Sequence, residues 1–448
     1  MTDTQGALAM SHRKVWMLAG PIILSNISVP LVGAVDTAVV GHLPGPQSMG
    51  AVAIGALIFS FLYWGFGFLR MGTTGFVAQA YGAGDWNALA DTLLRVLLLA
   101  FILGLVTIIA AAPLIDFAFY LIDSSAEVEG LAREYAVIRI WSAPAVLGVY
   151  AFTGIFIGMH NTRGAFVMQL VLNISNVLLD LLFVLVFDWG VEGVALASVI
   201  AEYLALLVGI YLLRWPLRNA RERYDRVRLL ERAALLSLFT ANGNIFVRTL
   251  CLLFAFSYFT AKSAQQGEVT LAANAILMHL QSIMAYGLDG FAHAVEALAG
   301  SAYGARKLAV FRRAVLLTTL WAALVALLTT GVYWLWGGAI IGLFTNIDAV
   351  IDSALLYLPW MIAAPLISVW GFQLDGIFIG TGHTREMRNA MIFSVLGYLL
   401  VLHFVLPLLG NHGLFLGLAI FMVLRALSLL FYFRDIEAVI RQQESSSS

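Results

Sequence analysis

The sequence predicts an all-α polytopic membrane protein of twelve transmembrane helices, arranged as two six-helix bundles related by a parallel repeat. Three observations lead there: the composition, the number of long apolar runs, and a set of motifs that return at one fixed displacement. Of 448 residues, 61% are hydrophobic and 11% charged, and mean hydropathy is +0.91, whereas a soluble domain carries about a quarter charged residues. The net charge of −1 says little about partners, because in membrane proteins the informative quantity is how charge is shared among loops. A single cysteine, Cys251, excludes an intramolecular disulfide.

Apolar runs bounded by Gly, Pro or charge fall at 15–40, 49–80, 92–115, 131–158, 164–187 and 191–213, and again at 234–260, 269–302, 314–336, 354–380, 387–409 and 414–433. The first, Val15 to Val40, would reach about 39 Å as a helix, enough to cross a hydrocarbon core of about 30 Å with tilt. It is too long for the core of a cleavable signal and is expected to stay in the protein. Its one ionisable side chain is Asp36. A carboxylate at that depth costs ~2.5 kcal/mol or more on insertion scales and is a functional residue by default; the plainer reading is a clamp between helices. Pro21 and Pro30 interrupt the same run and give it places to bend.

Between the sixth and seventh runs, Arg214, Arg218, Arg221, Arg223, Arg226, Arg228 and Arg232 make a basic linker. Loops on the cytoplasmic side carry excess Lys and Arg, so the linker and both termini are expected in the cytoplasm. Arg306, Lys307, Arg312, Arg313, Arg163, Arg385 and Arg388 fall on that same side. The opposite loops carry Asp116, Asp123, Glu127, Glu129, Asp188 and Asp348. Topology alone accounts for the basic linker, so no nucleic-acid role is expected. The division is 1–213 for the first bundle, 214–233 for the linker and 234–448 for the second bundle with its tail.

The halves repeat. AYGA at Ala80 to Ala83 returns at Ala302 to Ala305, GIFIG at Gly154 to Gly158 returns at Gly376 to Gly380, and Thr162-Arg163 returns at Thr384-Arg385, all displaced by 222 residues. Six spans per repeat is an even number, so both halves enter from the same face. A substrate path between or inside two bundles follows from that arrangement.

Twelve spans in two parallel halves, AYGA closing the second and eighth, and Asp36 in the first together resemble the MATE (multidrug and toxic compound extrusion) family. The stretches FLRMGTTGFVAQAYGA (68–83), LDGFAHAVEALAGSAYGA (288–305) and LDGIFIG (374–380) are similar to its DinF branch. The resemblance implies a V-shaped pair of bundles that alternates in access, exporting amphipathic, often cationic, small organic compounds in exchange for protons or sodium ions. It implies a plasma or inner membrane location and no enzyme activity.

On the fifth span, Asn173, Asn176 and Asp180 stand at i, i+3 and i+7, one helical face. Counted at 1.5 Å per residue, Asp36, Asp180 and Ser198 all lie about 8 to 11 Å below the outer surface, with Glu202 one turn deeper, near Asn176. Two carboxyls with amides and a hydroxyl beside them form a candidate proton and substrate site, because each negative charge disfavours the other. The resemblance implies roles at Asp36, Asn176 and Asp180. The second half holds Arg248, Asp289, Glu296, Asp375 and Arg425. Equal depth counts make Arg248 and Asp289 expected structural partners, with Glu296, Asp375 and Arg425 nearer the inner surface.

Sodium-coupled relatives, by the same resemblance, place a glutamate on the seventh span beside the aspartate on the tenth. Span seven here offers Asn242, Asn244 and Arg248 instead, so sodium is the weaker expectation and a proton gradient the stronger. No metal spacing, HExxH, GxSxG or phosphate-binding loop is present, and no cofactor is expected. An organic-anion exporter, a lipid flippase and a sodium-coupled drug exporter stay open as alternatives. From another class, so does an intramembrane aspartyl enzyme using Asp289 and Asp375. The chain is expected to act as a monomer.

Overall fold

In lipid every backbone N–H and C=O must be satisfied inside its own segment, so apolar runs of this length fold as helices. The computed structural model describes residues 10–42, 45–122, 124–217 and 229–447. Its helices are α1 (His12–Val40), α2 (Pro46–Gly65), α3 (Phe68–Ala83), α4 (Trp86–Ile109), α5 (Ala111–Leu121), α6 (Ala126–Arg139), α7 (Ala143–Gly158), α8 (Thr162–Asp180) and α9 (Val191–Leu217). They continue with α10 (Arg232–Ala264), α11 (Glu268–Gly304), α12 (Leu308–Phe344), α13 (Asp348–Thr381), α14 (Thr384–Leu409) and α15 (Asn411–Ser447). With α2 and α3 forming one span, α6 and α7 joined by the 3₁₀ turn Ile140–Ser142, and α8 extended by a π-helical turn at Leu181–Val186, twelve segments are long and apolar enough to cross a membrane.

Local chemistry sets several starts. Asp85 accepts from the Ala88 N–H at 2.9 Å, Ser125 from Val128 at 3.4 Å and Asn161 from Gly164 at 3.2 Å, each satisfying an orphan donor of the first turn. The expected breaks at Pro21 and Pro30 are corrected: α1 runs unbroken through both. A proline removes one ladder bond and does not have to end a helix in a membrane; beside Pro30 the Ser28 hydroxyl donates to the Ser25 carbonyl at 2.6 Å. Arg218, Arg221, Arg223, Arg226, Arg228 and Asp123 lie outside the described residues. In the opposite loops, Arg133 pairs with Asp116 at 2.6 Å and Glu129 at 2.8 Å.

Two compact units emerge. One comprises Leu24–Val77 and Asp85–Ser237; the other comprises the chain up to Ile23, Ala78–Gly84 and everything from Leu238 onward. Two segments that the repeat assigns to the first half therefore pack in the second unit. Val15, Leu18 and Ala19 of α1 sit in the core of one unit, Val39 and Val40 in that of the other. The division of α1 falls between its two prolines.

The repeat is a repeat of backbone contacts. A Cβ on Gly82 would lie 1.9 Å from the Ser301 carbonyl oxygen, and one on Gly304 would lie 2.1 Å from that of Gln79. Both the glycines and their partners are 222 residues apart. The same holds for GIFIG: Gly154 would meet the Arg70 oxygen at 2.5 Å and Gly376 the Ala292 oxygen at 2.4 Å, while Gly158 faces Thr74 and Gly380 faces Glu296. Thus α7 packs on α3 as α13 packs on α11. Small residues that let helix backbones touch are a main source of helix association in lipid, which is why these motifs survive in both halves. Gly82→Ala is expected to lower stability by about 2 kcal/mol, within the range for overpacking. Gly331→Ala, a helical site with nothing within 4 Å of the added methyl, is the control. Thermal unfolding of the purified pair checks this, and equal midpoints would contradict it.

Candidate functional site

The face predicted on α8 is the face that is buried. Asn173, Asn176 and Asp180 all point inward, Asp180 with 1% of its surface exposed. Asn176 donates through Nδ2 to Ser198 Oγ on α9 at 3.3 Å. Asn173 donates to Ser28 Oγ on α1 at 2.7 Å and accepts from Gln169 Nε2 at 2.9 Å. Further along, Asp36 of α1 and Asp180 lie within electrostatic reach of one another. Both oxygens of Asp180 and Oδ1 of Asp36 are buried without a hydrogen-bond partner. Such oxygens are costly as carboxylates, and a proton held by the pair relieves that cost.

Asp180 also closes α8. The next turn is π-helical, with the Phe187 N–H bonded to the Leu182 carbonyl at 3.0 Å. Single π turns recur at functional sites, where they re-aim a side chain at the cost of one regular bond. Nothing in the local sequence announces it.

Glu202 belongs elsewhere than predicted. It does not join the acid pair as a third carboxyl but is gripped by Arg139 at the end of α6, through Nη1 to Oε2 at 2.7 Å and Nη2 to Oε1 at 2.5 Å. Arg139 also donates to Ser142 Oγ, which bonds the Tyr63 hydroxyl at 2.9 Å, and its guanidinium stands 5.7 Å from the Phe59 ring centroid. A bidentate guanidinium–carboxylate pair is the strong form of such contacts. Antiparallel packing explains the displacement: with Asn176 opposite Ser198, a turn further along α9 leads away from Asp180, not toward it. Arg139 is the site residue that sequence reading passes over. Its signal was a lone cation in the apolar run AVIRIWSAPAV, to which the rule applied to Asp36 applies equally.

The second unit corrects a pairing. Arg248 donates to Asp375, not to Asp289, and Arg425 binds the same carboxylate through Nη2 and, at 3.3 Å, through Nε. Asp289 acts electrostatically on Arg425, and Glu296 is buried two turns further along α11. The reason is that helix ends do not share a plane. Asn244, three turns into α10, donates to the hydroxyl of Thr384, the first residue of α14, at 3.2 Å, so α10 begins about 18 Å below α14. Depth counted from the start of α10 therefore placed Arg248 too high.

The chemistry is not repeated with the packing. At 222 residues from Asn173, Asn176 and Asp180 stand Val395, Tyr398 and Leu402, and opposite Asp375 stands Thr153. One unit holds acids without donors; the other holds an acid with two guanidinium partners.

Twelve spans in two related halves, with unpartnered carboxyls buried inside one, define the class: a polytopic membrane transport protein. The family profile MatE matches residues 21–182 and 245–407, a copy in each half. Among characterised relatives, the chain is 42% identical over 426 residues to DNA damage-inducible protein F of Escherichia coli (strain K12), covering 94% of this chain and 92% of that one. It is 26% identical over 437 residues to Protein DETOXIFICATION 44, chloroplastic, of Arabidopsis thaliana, covering 92% and 80%. Its fold matches that of a multidrug resistance MATE family transporter of the MOP superfamily in an outward-facing conformation, with a TM-score of 0.88 at 21% identity over 98% of this chain and 99% of the other. The chain belongs to the MATE family of multidrug efflux transporters, in its DinF branch; the family handles small organic substrates in the membrane and is not one of enzymes.

Proposed function

We propose that the protein is a proton-coupled antiporter that exports amphipathic cationic compounds, with proton and substrate competing for the Asp36–Asp180 site. The observation that carries this reading is the contrast between the two units. In the first, two facing carboxyls lack donors, so they favour taking up positive charge, whether a proton or an organic cation. In the second, Asp375 already holds Arg248 and Arg425, two tethered cations where a sodium site would need a free carboxylate. Asn173, Asn176 and Ser198 tie α1, α8 and α9 around the acids, so a change of charge there alters how α1 is held. The location proposed is the inner or plasma membrane, with both termini and the arginine linker in the cytoplasm and the chain acting as a monomer.

Proteoliposomes test the coupling. An imposed pH gradient, acidic inside, is expected to drive accumulation of a lipophilic cationic dye, and a sodium gradient alone is not. Accumulation driven by sodium without a pH gradient, or of a carboxylate probe in place of the dye, would overturn the reading.

A further inference from the structure

We propose that Arg139, held in place by Glu202, is the fixed counter-charge that lets the Asp36–Asp180 site give its proton back inside the membrane. This rests on the proton-coupled reading above and adds to it a residue that touches neither proton nor substrate. A site made only of two buried acids without donors takes up a proton readily and releases it poorly, since the charged form has nothing to stabilise it. Antiport needs both steps. The surroundings supply one fixed cation: Arg139 lies within electrostatic reach of both Asp36 and Asp180. It is nevertheless committed to Glu202 by two hydrogen bonds and to Ser142 by a third, so it stabilises the ionised site without capping it.

The groups that face this cluster are few. Asp36 comes from α1, Tyr63 from α2, Tyr135 and Arg139 from α6, Tyr150 from α7, Asp180 from α8 and Glu202 from α9, with Arg70 beyond Tyr150. The tyrosines carry no charge over the working pH range, so the balance is set by Arg139 and Glu202. The order is what matters: Arg139 acts on both aspartates and stands between them and Glu202, so removing the pair together removes more positive than negative influence. A unit charge one or two helical turns away, at an effective dielectric of about 20, moves a titration midpoint by on the order of one pH unit.

The test reads protonation directly, by infrared absorbance of the protonated carboxyl groups in purified protein, assigned by its loss in Asp36→Asn. The double variant Arg139→Gln/Glu202→Gln leaves no unpaired buried charge and is expected to hold its proton to higher pH, moving the midpoint up by about one unit. Glu202→Gln alone frees the guanidinium from its anion and is expected to move the midpoint down. Arg139→Lys, which keeps the charge, is expected to stay near wild type. A double variant that folds and titrates at the wild-type midpoint overturns the counter-charge role while leaving the proton site intact. A wild-type protein with no Asp36-dependent band at any accessible pH removes the proton site itself, and this proposal with it.

Discussion

Asp36→Asn is expected to fold in wild-type yield and to lose pH-driven export. Asparagine keeps the volume and hydrogen-bonding capacity of a protonated aspartate, so the packing of α1 against α8 is preserved. It can neither bind nor release a proton, so the facing Asp180 is left with a permanently neutral partner. Coupling energies between linked sites ordinarily amount to about 1–3 kcal/mol, or roughly 5- to 150-fold, and the gradient-driven rate is expected to fall by a factor in that range. Binding of the cationic dye without a gradient should survive, because Asp180 remains. The measurement is dye accumulation in proteoliposomes with protein content matched between variants. A wild-type rate of proton-driven accumulation by Asp36→Asn would reject the mechanism, since a hydrogen-bonding clamp with no titration behaves that way.

The largest effect on stability is expected at Asp375. It is 4% exposed and the acid that Arg248 and Arg425 share, themselves 7% and 2% exposed. Asp375→Asn leaves two buried guanidiniums without that anion. Breaking one buried pair costs about 3–5 kcal/mol, so a severe loss of folded protein follows. Arg248→Met should cost less than Asp375→Asn, because Arg425 still neutralises the carboxylate. The triple change Asp375→Leu/Arg248→Met/Arg425→Met should recover part of the loss, since replacing buried ions with apolar groups of similar volume is often neutral or better. Asp289→Leu combined with Arg248→Met should show losses that nearly add, as expected for residues that are not direct partners. Detergent-solubilised yield and thermal unfolding across this set check the assignment. A fully stable Asp375→Asn would contradict it.

Several features were legible in the sequence because local rules decide them. The number of spans follows from run length against bilayer thickness. The buried face of α8 follows from 3.6-residue periodicity, and the pairing of the halves follows from motifs at one displacement. The meeting of Asp36 with Asp180 also came out, because both lie within two turns of the outer ends of their helices, where errors in counting depth are small.

What the sequence by itself determined, then, is how many helices there are, which faces they bury and that the backbone crossings are duplicated. Only the tertiary structure decided which charges meet. Arg248 meets Asp375 because α10 starts well below its neighbours, an offset that no property of α10 alone records. Glu202 meets Arg139 because α9 runs antiparallel to α8 in a register set by one contact, Asn176 with Ser198. Hydropathy fixes that a segment crosses the bilayer but leaves it free to slide along the normal. Packing of small residues against neighbouring backbones removes that freedom, and the partners of every buried charge follow from where each helix comes to rest.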